Sequence, residues 1–397
     1  MVMNRKLVFT KLENRILTTV LENEEVVEIH CSKEEMDETV SLGNIYVGRV
    51  KNIVANIKAA FIEIAPGIEC YYALEENKAP IFTHKIGKKP LCIGDELVVQ
   101  VSKEAVKTKV PTVTSKISFT GKYAVLTSGD TRIGASQKLQ KEERERLTGI
   151  AKNYSSDAYG IIMRTNANDL PDEVLCAEIE KLVSQYQRLV EIAKLRVCFS
   201  CLNRAPKQYL NLLKNINQEG LSDIVVEDMD IYEELKQYLT DNQPEDLSKL
   251  RLYSDKLLPL HKLFSIEKHL ENALKERVWM KSGAYLVIQP TEALTVIDVN
   301  TGKCIDKKHD DRSYLKINIE AAKEAAKQIR LRNLTGIILI DFINMSSKEM
   351  TVELLNILDK ELRRDPVATT LVDMTKLQLV EVTRKKIRKP LHEAFYE

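Results

Sequence analysis

Two apolar runs in the last third of the chain each end on a carboxylate: residues 293–300 read ALTVIDVN and residues 336–344 read GIILIDFIN. An ionised Asp is rarely buried unless it is paired or bound to a cation, so Asp298 and Asp341 inside strand-like runs constrain the fold. Between them, residues 317–332, INIEAAKEAAKQIRLR, form an Ala-rich amphipathic stretch whose spacing predicts a helix. Strand, helix, strand is the unit that makes two parallel strands of one sheet and brings their ends to the same edge. With adjacent strands about 4.8 Å apart, Asp298 and Asp341 can share one hard divalent ion, leaving positions for water and a phosphate. A lone Asp at a strand end is more often a cap or turn residue; the pair is what points to a magnesium-type site. Open α/β sheets place ligands beyond the carboxyl ends of their strands. Asn300 and Lys303 in DVNTGK add a neutral oxygen ligand or orienter and a cation at that edge.

At 397 residues the chain has room for two to four domains. Its 44% hydrophobic and 29% charged residues are those of an ordinary soluble protein, and its formal net charge is only +1. Nucleic-acid binding therefore has to come from local clusters and not from a global basic field. The first thirty or so residues alternate like paired strands and lack the continuous apolar core of a signal peptide. No stretch approaches the ~18 apolar residues of a membrane span, and the chain reads as cytoplasmic. Seven scattered cysteines argue for a reducing compartment rather than a disulfide framework. Cys198 and Cys201 form a lone CxxC, either half of a zinc site or a pair of buried thiols; with no second pair or nearby His, thiols are the better reading.

Residues 1–37 are strand-rich, and residues 38–119 hold a run of short strands with turn signals at Pro66-Gly67, Ile86-Gly87 and Ile93-Gly94. Five short strands in that length suit a small barrel of the OB type. Residues 120–212 mix strands with a long helix predicted over 172–195, with Pro171 placed for its first turn. Residues 213–275 alternate strand and helix, and DNQPED at 241–246 reads as a polar turn. No internal repeat is visible.

The segments TVIDVNTGK at 295–303, NIEAAKEAAKQIRLRNLTGIILIDFINM at 318–345 and LVEVTRKK at 379–386 resemble, in that order, the catalytic domain of the ribonuclease E/G family. Upstream, NIYVGRVKNIVANIKAAFIEIAPG at 44–67 resembles that family's OB-fold RNA-binding module, and GIIMRT at 160–165 its 5′-end sensing segment. The resemblance implies an α+β multidomain chain. An RNase H-like subdomain from 1–37 and 213–275 would be interrupted by the OB-fold barrel, 38–119, and a 5′-sensor, 120–212. A DNase I-like α/β catalytic domain would follow over 276–397. Periodicity alone does not show that discontinuity.

By the same resemblance, Phe61, Tyr71 and Lys109 contact RNA, and Lys103 beside Lys109 in SKEAVKTK adds charge. Read without the family, both rings sit in apolar strands and fit a core equally well, although OB folds do stack bases on exposed aromatics. Arg49, Lys51 and Lys58 read as ordinary surface charges. Arg384, Lys385, Lys386, Arg388 and Lys389 form either a phosphate-attracting patch or a solvated helix face. Arg164 and Thr165 match the pair that grips a 5′-monophosphate in the family, with Gly121 and Val125 lining the pocket. Three positions depart from the family pattern. Ala368 replaces a sensor cation, a gap that Lys376 or Arg364 could fill; Asn344 replaces a third acidic residue; Gln378 replaces a glycine. The family's CPxCxG zinc motif does not follow the LVEVTRKK segment before Glu397, so no zinc is expected, the zinc-linked tetramer is in doubt, and a homodimer stays open.

The function implied is endoribonucleolytic: hydrolysis of single-stranded RNA with one Mg²⁺ per site, giving 5′-phosphate and 3′-hydroxyl ends, in rRNA maturation or mRNA turnover. Asp298 and Asp341 would hold the metal, Asn300 would orient a ligand and Lys303 would face the scissile phosphate. The alternative is a non-catalytic RNA-binding protein that keeps the fold, with Asn344 and Ala368 in its favour. A DNA nuclease has no support beyond the shared use of carboxylates.

Overall fold

The computed structural model describes residues 4–34, 40–105, 110–215, 220–255, 257–302 and 311–396. It divides into two units, Met1–Glu34 with Ile216–Glu397, and Glu35–Asn215. Apolar alternation builds three antiparallel strands at the start of the first unit, Arg5–Leu12 (β1), Arg15–Glu22 (β2) and Glu25–Lys33 (β3).

The second unit opens with Ile45–Val54 (β4), Ala59–Ala65 (β5), Ile68–Ala73 (β6), Phe82–His84 (β7), Glu96–Lys103 (β8) and Thr112–Thr114 (β9). Five of these close in the order β4-β5-β6-β9-β8, because β8 pairs with β4 as well as with β9. Closure removes the free sheet edges, and Ile62, Ile64, Cys70, Tyr72, Leu97 and Val99 fill the interior. Next come Ser118–Thr120 (β10), Ala124–Ser128 (β11), Ile133–Ala135 (β12) and Tyr159–Met163 (β13), a sheet in the order β10-β11-β13-β12. Helices Lys141–Lys152 (α1) and Asp172–Ala193 (α2) pack on it. Pro171 is the N-cap of α2 and not a residue of its first turn, and the helix stops before the expected Leu195, which is 84% exposed. Cys201–Asn203 (β14) pairs with β4, and Gln208–Asn215 (α3) ends the unit.

The chain then rejoins its opening meander. Leu221–Val226 (β15) pairs in parallel with β1, and Leu250–Leu252 (β16) with β15, giving the order β16-β15-β1-β2-β3. Between them Met229–Asn242 (α4) is capped by Asp228, whose carboxylate accepts from the Ile231 N–H at 3.0 Å. The DNQPED segment is not a simple turn: the helix runs through Asn242, and Pro244–Lys249 forms a 3-10 stretch. Leu260–Leu263 (α5) and Ile266–Leu274 (α6) lead into the last sheet.

That sheet comprises Arg277–Trp279 (β17), Tyr285–Pro290 (β18), Leu294–Asn300 (β19), Gly336–Asp341 (β20), Thr369–Met374 (β21) and Leu379–Arg384 (β22), in the order β17-β18-β19-β20-β22-β21. The crossover unit is as the sequence predicts: Asp311–Leu331 (α7) joins β19 to β20, which pair in parallel. With Lys348–Leu362 (α8), α7 covers one face, where Leu286, Ile297, Ala321, Ala325, Ile340 and Leu358 are buried. The alternate residues Val287, Val296, Asp298, Leu339 and Asp341 lie half-buried on the other face. Leu391–Tyr396 (α9) packs against β3.

Buried charge ties α7 to the opening meander. Arg330 donates to Glu28 at 2.7 Å and Glu22 at 2.9 Å, while Glu22 also accepts from Arg5 and Glu28 is 2.8 Å from His30 Nε2. Burial drives the Glu28 carboxyl up, but His30 and Arg330 outweigh it and hold the group far below the usual carboxylate range. His30 itself is pushed down to about 4, first by burial and then by the charge of Arg388. Its unfolded form takes a proton near pH 6.5 while the folded form does not, so stability is complete above 6.5 and declines as the pH falls towards 4. We expect the melting temperature to drop across that window and His30→Gln to flatten the drop; an unchanged slope would assign it to other groups.

Arg384, part of the cation run read as a phosphate patch, is turned inward. It is 4% exposed; Nε and Nη2 donate to the two Asp365 carboxylate oxygens at 2.7 and 3.3 Å, and Nη1 donates to Asn333 Oδ1 at 2.6 Å. Arg388 and Lys389 are half-buried, which leaves Lys385 and Lys386 as the exposed cations of the run. The alternation of β22 is responsible, placing Arg384 on the same face as Val380 and Val382. Removing one partner of a buried pair strands the other, at a cost of about 3–5 kcal/mol. Arg384→Ala should show that loss in urea unfolding, and a loss below about 1 kcal/mol, the range of exposed pairs, would contradict the assignment.

Candidate active site

Parallel pairing sets Asp298 directly opposite Asp341, at the carboxyl ends of adjacent strands. Asn300, one step along the same face, donates from Nδ2 to Asp298 Oδ2 at 2.6 Å. The Asp341 carboxyl is pushed up, first by burial and then by the negative charge of Asp298. Among the described residues no cation pairs with either carboxylate. Two facing carboxylates that repel each other have the chemistry of a hard divalent-cation site, so the residues present fit Mg²⁺. Lys303 lies outside the described residues.

The surrounding loops are built to hold this edge. After Asn300 the chain turns at Gly302, with φ +57°, where an added Cβ would meet the Gly283 carbonyl oxygen at 2.4 Å. After β20, the fully buried Asn318 of α7 donates to the Ile343 carbonyl at 2.8 Å and accepts from the Ile343 N–H at 3.0 Å. Asp311, at the start of the same helix, accepts from the Ser346 and Ser347 N–H groups, each at 2.9 Å. Asn344 is exposed on this loop. Sequence reasoning missed Asn318; its signal was a polar residue on the apolar stripe formed with Ala321, Ala322 and Ala325.

On the barrel, Phe61 pairs across from Tyr71, Tyr71 from Thr112, and Thr112 from Lys103, one row across four strands. The two rings are half-buried and meet edge to face with centroids 6.4 Å apart. They point away from the interior filled by Ile62, Cys70 and Tyr72, which removes the core reading for both. Lys103 is exposed, and Lys109 lies outside the described residues. Arg49, Lys51 and Lys58 are engaged with Glu96, Glu63 and Glu75, as surface charges would be.

The residues matched to a 5′-sensor in the sequence also come together. Arg164 Nη1 donates to the Gly121 carbonyl at 2.7 Å, Val125 pairs across from Ile162, and the Thr165 hydroxyl is 3.0 Å from Ser136 Oγ. Glu178 of α2 accepts from the N–H groups of Lys122, Tyr123 and Ala124 at 3.0, 2.6 and 2.8 Å, fixing the loop that begins at Gly121. Ala368 uses its carbonyl to accept from the Lys385 N–H at 2.9 Å, and Arg364 pairs with Glu361. The CxxC thiols are not both buried: Cys198 is half-buried and Cys201 exposed. No cluster of three or more His, Cys, Asp or Glu able to hold a metal occurs among the described residues. No helix among them is long and apolar enough to cross a membrane.

A profile described as the Ribonuclease E/G family matches residues 118–387. Ribonuclease G of Escherichia coli (strain K12) is 33% identical over 378 residues, covering 92% of this chain and 76% of that protein. Ribonuclease G of Haemophilus influenzae is 31% identical over 375 residues, 92% of this chain and 76% of that one. Ribonuclease E of Nostoc sp. (strain PCC 7120) is 32% identical over 362 residues, 89% of this chain and 52% of that one.

The charge geometry has a consequence for stability. Asp341→Asn removes one of two facing like charges without removing packing, so in metal-free buffer its melting temperature should equal or exceed that of the wild type. Adding Mg²⁺ should raise the melting temperature of the wild type more than that of the variant. A variant several degrees less stable would show that the carboxylate is a structural partner instead.

Proposed function

Since the chain belongs to the ribonuclease E/G family, we propose that it is an endoribonuclease hydrolysing single-stranded RNA with Mg²⁺, leaving 5′-phosphate and 3′-hydroxyl ends, in RNA processing or decay. The observation that carries this reading is the register of Asp298 opposite Asp341 with no cation between them among the described residues. When bound there, Mg²⁺ supplies Lewis acidity and a more acidic water for attack on phosphorus. Asp298 and Asp341 provide its oxygen ligands. Asn300 holds Asp298 in orientation through the 2.6 Å hydrogen bond. Lys303 neutralises charge on the scissile phosphate.

Outside the carboxylates, Phe61 and Tyr71 stack bases, and Lys103 and Lys109 attract the backbone. Arg164 and Thr165, with Gly121 and Val125, take a terminal 5′-phosphate through charge-assisted hydrogen bonds. Ala368 stands where the family pattern has a cation, so the preference for a 5′-monophosphate is weak. The strand order β16-β15-β1-β2-β3 supports an RNase H-like reading of the first sheet, and the six-stranded α/β sheet supports a DNase I-like reading of the last.

The test is an internally labelled single-stranded RNA incubated with the full chain in Mg²⁺ or EDTA. Cleavage is expected only with Mg²⁺, and Asp298→Asn is expected to lower it by about two orders of magnitude or more while RNA binding persists. Binding without cleavage at any Mg²⁺ concentration would replace this reading with a non-catalytic RNA-binding protein.

A further inference from the structure

Trp279 is the single tryptophan of the chain and is 57% exposed at the end of the edge strand β17. Its ring centroid lies 5.0 Å from that of Tyr285, at an interplanar angle of 53°. The Arg277 guanidinium carbon sits 4.6 Å from the Tyr285 centroid and 5.9 Å from that of Trp279. Among the described residues Arg277 pairs with no carboxylate, so its charge remains open to an incoming anion. Two aromatic faces with an uncommitted guanidinium are the ingredients of a site for an unpaired base and its phosphate.

Register places this cluster beside the carboxylates. Trp279 pairs across from Tyr285, and Tyr285 across from Asn300; Arg277 pairs across from Val287, and Val287 across from Asp298. Residues directly opposite share a face, so the cluster and the carboxylates line the same side of the sheet. Two strand spacings and one two-residue step put Trp279 roughly 10–12 Å from Asp298. A nucleobase neighbouring a phosphate that a cation at Asp298 and Asp341 would bind reaches that far.

We propose that Arg277, Trp279 and Tyr285 form a stacking subsite for an unpaired nucleobase of the RNA next to the scissile phosphate. The subsite rests on the nuclease reading of Asp298 and Asp341 and deepens it. Stacking uses the face of a base, which a duplex hides, so the subsite selects single strands without selecting sequence.

Because Trp279 is the sole indole, intrinsic fluorescence reports this subsite directly. The full chain, in EDTA to prevent turnover, is titrated with a twelve-residue oligoadenylate and, separately, with an RNA duplex of equal length. Emission should be quenched by the single strand, saturating at the Kd measured in parallel by anisotropy of a labelled oligonucleotide, and be unaffected by the duplex. Trp279→Ala should weaken single-strand binding about tenfold and Trp279→Tyr less than about threefold, in the range for loss and retention of one stacked base. Thermal melts of both variants check that an exposed side chain was removed without unfolding. Anisotropy that reports binding while Trp279 emission stays constant overturns the subsite and leaves the nuclease reading intact. Quenching with the expected variants, but no cleavage product in Mg²⁺, keeps the subsite and overturns the nuclease reading.

Discussion

Asp298 and Asp341 face one another only because β19 and β20 run in the same direction. An antiparallel pair would put the carboxyl ends of two consecutive strands at opposite edges, and two carboxylates at strand ends would then lie a strand length apart. Parallel pairing demands a crossover, and α7 supplies it with a stripe of Ala321, Ala322 and Ala325 that lets the helix lie close on the sheet. Ile297 and Ile340, each one residue before its aspartate, point to the opposite face and are fully buried. Burying those side chains, at about 1.5–3 kcal/mol each, offsets the mutual repulsion of the charged pair.

The same helix fixes the site at one end and anchors it at the other. Asn318 clamps the loop beyond Asp341, while near the C-terminal end Arg330 reaches Glu22 and Glu28 on the opening meander. The placement of the carboxylates therefore depends on strands formed by the first residues of the chain. A buried ion pair in such a position gives little net stability over an apolar substitute, but a partner lost from it leaves a charge stranded. This makes the meander a support for the sheet that bears Asp298 and Asp341 and not an appendage to it.

The crossover unit was legible in the sequence because its hydrophobic period changes twice, from strand to helix and back, and because each strand ends on a residue that apolar packing does not explain. The closed barrel was legible from the density of short strands and glycine turns. What stayed hidden was facing. Tyr71 and Tyr72 are adjacent and chemically alike, yet Tyr72 is 1% exposed inside the barrel and Tyr71 lies outside, a difference set by register alone. Arg384 was taken with its cationic neighbours, although Val380 and Val382 before it already marked the inward face of a strand. Trp279 and Asn300 are brought onto one face only through the pairing of three strands, which no local pattern in either segment contains.

The two ends of the inserted unit lie together through its own contacts: β4 pairs with β14, and Asn44 Oδ1 accepts from the Ala205 N–H at 2.8 Å. Yet Arg5 pairs with Leu221 across the whole of that insert. For a flexible chain, closing so long a loop carries an entropic penalty that grows with the logarithm of its length. Once the insert has folded, Asn44 and Ala205 are held together, and the loop that β1 and β15 must still close shrinks to the residues outside that contact. Three halvings of effective length lower the closure penalty by about 2 kcal/mol. The insert, once folded, thus acts as a scaffold for assembly, presenting β15 to β1 as if the two were near neighbours in the chain.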